Sequence, residues 1–437
     1  MKIGFVTQSF TPFLTGGIEL YVGGAELHVL ELSKALVNLG HEVYVLTIRF
    51  QNLLAEEKID EITIDRFKPL FSSRLAKTIQ IDPYSLYESY KFIKKHNLDI
   101  IHVHEFIWMS LAPVFAAKLG GVPVVATLHT YWPICFLNNL CYHNGHVCEC
   151  YDRKECSICL AQRFLEVYGF WIPPVILEGI LKVVIRLRKI LLKRVDTFIV
   201  PAKGAKECLA TAGVNEERIR LIPHGISLEE FNPETTDCTN LYKNLNISKD
   251  KKLILFVGHL SKEKGVEYLI RALPEILRRI PDSVLAVVGD GPEKRSLIQS
   301  VRRLKLNDKV IFAGKVEKRF IPQIYALADI CAIPSLTEIG PYVALEAMAM
   351  KKPVVASSVG NLPDLITKKT GILVNPGDSE NLARAAIRLL SDKNMREKMG
   401  EAGRRLVEIN HTLQGMTSNI LDAYAELIEK DGKRVKE

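Results

Sequence analysis

Short, almost unbroken apolar runs alternate along the chain with stretches whose apolar residues recur at helical spacing. Ile3–Thr7 reads as a first strand. Ala25–Leu39 reads as a helix, with Leu27, Leu30, Leu32, Leu36 and Leu39 in the pattern and Gly40 placed to end it. Glu42–Ile48, Ile100–His104 and Val122–Leu128 follow as strands. Strands that are apolar on both faces and separated by helices imply a parallel sheet covered on both sides. The same grammar returns later: strands at Leu253–Val257, Val284–Val288, Val310–Phe312, Ile330–Ile333 and Pro353–Ala356, with a helix over Lys264–Ile280. The fold class is therefore α/β, with two Rossmann-like, doubly wound parallel-sheet domains.

At 437 residues the chain is too long for one ordinary core and suits two. The expected division is residues 1–228, then 229–415, with the polar stretch Asn232–Asp250 near the junction. Residues 416–437 form a last helix expected to return to the first domain. A composition of 48% hydrophobic and 25% charged residues is that of a soluble globular protein. The net charge of +8 suits anionic partners such as nucleoside diphosphates or phospholipid headgroups. No motif that reads nucleic acid is present. The first strand turns polar too soon for a secretory signal. No apolar run reaches the roughly 18–20 residues that a spanning helix needs. The expected location is the cytoplasm, with peripheral contact at the inner face of the membrane as an extension of that reading.

Open parallel sheets bind ligands at the carboxyl ends of their strands. That rule points to the segment Pro334–Glu346, where Glu338 and Glu346 flank Gly340-Pro341. Pro341 fits the first position of a helix, where its missing N–H costs nothing. Gly340 permits close approach of a ligand. The unpaired first-turn N–H groups and the helix dipole suit a phosphate. Glu338 in the loop can accept hydrogen bonds from sugar hydroxyls. Glu346, on the helix, can bridge the hydroxyls of a ribose. The plain alternative is two solvated carboxylates. Lys264, after the strand Leu253–Val257, can neutralise a diphosphate as a point charge. Gly16-Gly17 and Gly23-Gly24 both follow the first strand and can bring backbone to a phosphate. His129 ends a strand and is as often structural as catalytic. His102 and His104 share one strand face and read as structural. There is no Asp-x-Asp metal clamp, so lysine and helix dipole must carry a departing diphosphate's charge.

These motifs together resemble glycosyltransferase family 4, the retaining, nucleotide-sugar-dependent enzymes of GT-B fold. The resemblance runs nearly the whole length. It rests on Gly23-Gly24-Ala25-Glu26, Gly40-His41-Glu42-Val43, Ile222-Pro223-His224-Gly225, Val288-Gly289-Asp290-Gly291-Pro292, and above all the Glu-x7-Glu element Glu338–Glu346. It implies that Glu338 holds the donor sugar and Glu346 the ribose. Ile339, Gly340, Pro341 and Tyr342 would bring backbone to the sugar and diphosphate, and Lys264 would pair with the diphosphate. Val316 would touch the base through its backbone. Gly23 and Gly24 would meet the phosphate from the other side, and His129 the donor sugar near the reacting centre. The implied reaction is metal-independent transfer, with retention, from a UDP-, GDP- or ADP-sugar to a hydroxyl of a glycan or lipid-linked acceptor. The chain departs from the family at His259, where arginine is usual. Histidine cannot make the bidentate fork, so either a protonated His259 faces the diphosphate or binding leans on Lys264. His224 replaces the usual asparagine, and Asn361 and Asp364 replace the usual glycine and glutamate. A nucleotide-sugar epimerase of the same fold and a non-catalytic scaffold are the alternatives. A glycosidase built on Glu338 and Glu346 fits the phosphate-friendly helix start poorly.

Of nine cysteines, six fall between Cys135 and Cys159, in an insert over residues 132–160. Cys135, Cys148, Cys156 and Cys159 can form a structural zinc site. Disulfides or free thiols fit the spacing equally. Residues 170–195 combine apolar residues with Lys182, Arg186, Arg188, Lys189, Lys193 and Arg194, which suits either a membrane-surface helix or a helix packed on its own domain.

Overall fold

The computed structural model describes residues 1–8, 10, 14–15, 18–19, 23–49, 53–68, 83–104, 112–131, 135, 153–168, 171–238, 248 and 250–434. The first half contributes β1 (Lys2–Val6), the short pair β2 (Leu14–Thr15) and β3 (Ile18–Glu19), then β4 (Glu42–Ile48), β5 (Glu56–Ile59), β6 (Ile62–Phe67), β7 (Ile100–Val103), β8 (Val124–Thr127), β9 (Thr197–Val200) and β10 (Ile219–Leu221). Eight of these form one sheet in the order β10-β9-β8-β7-β1-β4-β6-β5. Every pairing in it is parallel except that of β5 with β6. The second half forms a six-stranded, all-parallel sheet, β13-β12-β11-β14-β15-β16. Its strands are β11 (Lys252–Val257), β12 (Ser283–Val288), β13 (Val310–Gly314), β14 (Ile330–Ile333), β15 (Val354–Ser357) and β16 (Gly371–Val374).

Helices cover both faces of both sheets, which is why strands such as β7, β8 and β12 are buried at every residue. In the first half these are α1 (Gly24–Asn38), α2 (Pro83–His96), α3 (Ala112–Gly120), α4 (Arg153–Tyr168), α5 (Pro174–Leu192) and α6 (Lys203–Thr211). In the second they are α7 (Val266–Arg279), α8 (Lys294–Arg303), α9 (Ile321–Leu327), α10 (Tyr342–Ala349), α11 (Leu362–Leu365), α12 (Ser379–Ser391) and α13 (Lys393–Asn410). The last helix, α14 (Leu413–Arg434), leaves the second half and returns to the first. Its Met416, Ile420 and Tyr424 share a core with Ile3 and Phe5 of β1 and Val29 and Leu32 of α1. The chain thus crosses between the halves twice, side by side. Ile226 N–H donates to the His411 carbonyl at 2.9 Å, and Leu413 N–H donates back to Ile226 at 3.0 Å. The crossing leaves no room for a side chain at Gly225, where a Cβ would lie 2.3 Å from the Thr412 carbonyl oxygen. No helix among the described residues is long and apolar enough to cross a membrane.

The β5–β6 hairpin has no counterpart in the strand pattern above. Its turn places Asp60 and Glu61 at φ 47 and φ 65. Two consecutive left-handed residues are what a tight hairpin turn demands, but the usual signal for one is Asn-Gly.

Candidate functional site

The strand ends of the two sheets face a common cavity of about 520 Å³. On the second-half side, β11 ends in Gly258-His259, β12 in Gly289-Asp290, β13 in Lys315-Val316 and β14 in the segment holding Ser335 and Glu338. From the first half come Gly23 and Gly24 at the start of α1, His129 after β8, and His224 after β10. Among the described residues, every donor-site candidate named from the sequence lines this cavity except Glu346: His259, Lys264, Val316, Glu338, then Ile339 through Tyr342, and His129 with Gly23-Gly24 opposite.

The charged groups pair with one another. The Lys264 ammonium lies 2.6 Å from Glu338 Oε1, and the Ser335 hydroxyl donates to the same oxygen at 2.8 Å. Glu338 is 8% exposed. A carboxylate so enclosed needs these partners, since an unpaired buried charge is expensive. From the first half, the Tyr131 hydroxyl donates to the Glu338 carbonyl at 2.7 Å. Behind the loop, Gly360 adopts φ 56, and a Cβ there would lie 1.8 Å from the Glu338 carbonyl oxygen. Glycine is the residue that fits both the left-handed backbone and the contact. The loop between Glu338 and α10 also joins the halves, because Ile339 sits in the first half's apolar core with Leu128 and Tyr131.

Two details differ from the sequence-based expectation. Pro341 is the cap of α10 rather than its first residue, with ψ 108, and the helix begins at Tyr342. No side chain caps α10, so its first amides stay available at the cavity wall. Glu346 is fully buried behind that wall, where the Tyr325 hydroxyl donates to its Oε2 at 2.7 Å.

The first half's wall is a cluster of histidines. His102 of β7 and His104, just past its end, fall on one face of the strand, and their rings lie 4.0 Å apart. His104 Nδ1 lies 3.2 Å from His129 Nε2. His28, one turn into α1, has its ring 5.0 Å from that of His129 and 4.9 Å from that of His224. His28 Nδ1 shares a 2.8 Å hydrogen bond with the Tyr342 hydroxyl across the cavity. The His224 ring stacks on that tyrosine at 4.8 Å. Further back, His102 shares hydrogen bonds with Tyr424 of α14, at 2.6 Å, and with Thr127, at 2.7 Å. Burial drives these imidazoles well below their usual range, aided by neighbouring histidines. His129 is lowered by burial to about 3. At neutral pH the cluster is therefore uncharged and acts through hydrogen bonds. Among the described residues, His28 Nε2, His104 Nε2 and His224 Nδ1 find no hydrogen-bond partner. His28, His104 and His129 each bring a ring nitrogen within 4.8 Å of the other two, which makes them the metal-compatible group among the described residues.

His28, Tyr131, Ser335, Lys315 and Gly360 were not singled out from the sequence as site residues. His28 lies among the apolar positions of α1 and looks like core. Its one signal is its spacing, four residues after Gly24 on a helix that starts at the cavity. Cys148 lies outside the described residues, as do Cys141, Cys150 and Gly16-Gly17. Cys135 is half-buried against the first core, and Cys156 and Cys159 are half-buried on α4.

Two doubly wound sheets facing one cleft, with lysine, glutamate and an uncapped helix start at the strand ends, make up an enzyme of GT-B fold. The comparisons agree. Residues 22–230 match the profile described as Glycosyltransferase Family 4, and residues 239–406 that of Glycosyl transferases group 1. The chain belongs to the family 4 glycosyltransferases. It is 26% identical, over 99% of its length and all of the relative's, to an uncharacterized glycosyltransferase of Methanocaldococcus jannaschii. It is 26% identical, over 86% of its length and 89% of the relative's, to the UDP-Gal:alpha-D-GlcNAc-diphosphoundecaprenol alpha-1,3-galactosyltransferase of Escherichia coli. Among solved structures, sucrose-phosphate synthase of Thermosynechococcus elongatus superposes with TM-score 0.75 at 22% identity, covering 98% of this chain and 100% of that one. Anabaena HepE in complex with UDP superposes with TM-score 0.71 at 21% identity, again over 98% and 100%.

Proposed function

We propose that this glycosyltransferase transfers a hexose from a nucleoside-diphosphate sugar to an acceptor hydroxyl, with retention at the anomeric carbon and without a divalent cation. The observation that carries the reading is the Lys264–Glu338 pair at the mouth of an uncapped α10. In the structure the lysine and carboxylate pair with each other. A bound donor replaces that contact: its diphosphate takes Lys264 and the first amides of α10, and its sugar hydroxyls take Glu338. The acceptor oxygen bonds to the anomeric carbon on the face from which the diphosphate oxygen departs. The acceptor's proton passes to that departing oxygen. Lys264 and the helix start hold the charge that develops there. His129, held neutral by burial, contributes a hydrogen bond to the donor sugar rather than a proton. Binding of the donor ribose by Glu346 requires its contact with Tyr325 to be shared or released.

The relative that acts on a diphosphoundecaprenol-linked sugar supports a lipid-linked acceptor here. Thermal-shift measurements with UDP, GDP, ADP and their sugars test the donor reading. Stabilisation by at least one nucleotide is expected, and stabilisation by none overturns it. Turnover in EDTA, with the product's anomeric configuration read by NMR, tests the rest. Loss of activity restored by a divalent cation, or an inverted product, would refute those parts.

A further inference from the structure

Exposed large apolar side chains are concentrated in one place. Ile158 and Leu165 of α4, Trp171 in the connection, and Val175, Ile176, Ile180, Val183 and Ile190 of α5 are all more than two-fifths exposed. These two helices pack against each other as a hairpin. At about 3.6 residues per turn, α5 divides into three faces. Leu177 and Leu192 are 3% and 2% exposed and point into the protein. Val175, Ile176, Ile180, Val183 and Ile190 form an outward apolar stripe, with Val175 at 74% and Val183 at 60% exposed. Lys182, Arg186 and Lys189, all exposed, run along one side of that stripe. From Trp171 to Arg194 the sequence carries six basic residues and one acidic residue, Glu178. A solvated helix does not need so much bare apolar surface. A protein-binding helix does not need so one-sided a charge.

We propose that the α4–α5 hairpin docks the enzyme onto an anionic phospholipid bilayer. The apolar stripe and Trp171 enter the boundary between headgroups and acyl chains, and the basic row lies against the phosphates. The tryptophan at the amino end of α5 has the amphipathic ring favoured at that depth. The hairpin follows the cavity residue His129 in sequence, so the half of the enzyme that faces the acceptor would rest on the membrane. This deepens the lipid-linked acceptor reading, but it is measured by binding alone. Its failure would leave the nucleotide-binding result untouched, and the reverse also holds.

The test is sedimentation of the full chain with phosphatidylcholine vesicles, with and without phosphatidylglycerol. Binding to the anionic vesicles that falls with salt, with little binding to the neutral ones, is expected. Each basic residue brought to such a surface strengthens binding about fivefold, so a K182E/R186E/K189E variant, which also adds three negative charges, should bind at least about a hundredfold more weakly. I180E/V183E should lose at least about tenfold, since burial of the stripe is then blocked. Both variants should keep the parent's melting temperature and nucleotide response. Quenching of Trp171 by lipids brominated in the acyl chain, absent in Trp171→Phe, checks the geometry without relying on those variants. Failure of the parent chain to sediment with anionic vesicles at low salt overturns the proposal. So does equal binding by folded variants. A dimer in solution that V183E dissociates, without vesicle binding, would assign the stripe to a second copy of the chain instead.

Discussion

The two walls of the cleft use opposite chemistry. The second half presents charge, in Lys264, Lys315 and Glu338, with the uncapped start of α10 beside them. The first half presents buried, uncharged imidazoles and a glycine pair. In the proposed reaction the contrast separates two tasks. A diphosphate needs positive charge fixed beside it, and lysine supplies that as a compact point charge. The sugar needs hydrogen bonds without a competing cation next to the anomeric carbon, where positive charge develops during transfer. Histidines kept neutral by burial and by one another meet that need.

Four measurements would break or sharpen this division. Lys264→Ala should lower kcat by about 100- to 1000-fold, because it removes a preorganised charge at the leaving group. A loss mostly in KM would move the lysine's role from the transition state to donor binding. The next effect is on stability. The buried histidines have folded values below the unfolded value of about 6.5. Below that pH the unfolded chain binds protons that the folded chain refuses. Stability is therefore full above about pH 6.5 and falls as the medium is acidified, by at most about 1.4 kcal/mol per pH unit for each histidine. Denaturant melts between pH 7.5 and 5.5 should show the decline, and His28→Gln should reduce its slope. Third, Gly360→Ala should cost about 2 kcal/mol or more through left-handed strain and its clash with the Glu338 carbonyl. A shifted denaturant midpoint and weaker nucleotide binding would report it together. Smallest, Tyr342→Phe removes the His28 contact across the cleft, at about 1 kcal/mol. A double-mutant cycle with His28→Gln should recover that coupling, and additive losses would show that the walls meet only by proximity.

The charged wall was the more legible in sequence, and the reasons are physical. Parallel strands buried on both faces must be nearly continuous apolar runs, so β4, β11 and β14 stand out within a residue of their ends. Ligands of such sheets lie at strand ends, which draws attention to Lys264 and to the loop holding Glu338. The neutral wall hides because its members look like core. His28 occupies the apolar side of α1, and His102 and His104 lie on a strand that is buried whatever they do. Glu346 shows the converse. A glutamate on a helix reads as a ligand or a surface charge, and only the fold reveals the Tyr325 hydroxyl behind it. Gly360 is opaque for another reason, since its necessity lies in a carbonyl 22 residues away in sequence.

The return of α14 to the first half has a consequence for how the chain acquires its shape. Met416, Ile420 and Tyr424 complete the apolar face that β1 and α1 leave open, and Tyr424 also holds His102 at the back of the histidine cluster. During synthesis the first half must wait, with that face uncovered, until α14 has left the ribosome. The second half can close its own two faces before then. Residues 1–228 made alone would thus be a poor folding unit, although they contain every strand of their sheet. Loss of α14 would harm a half of the molecule that was made long before it.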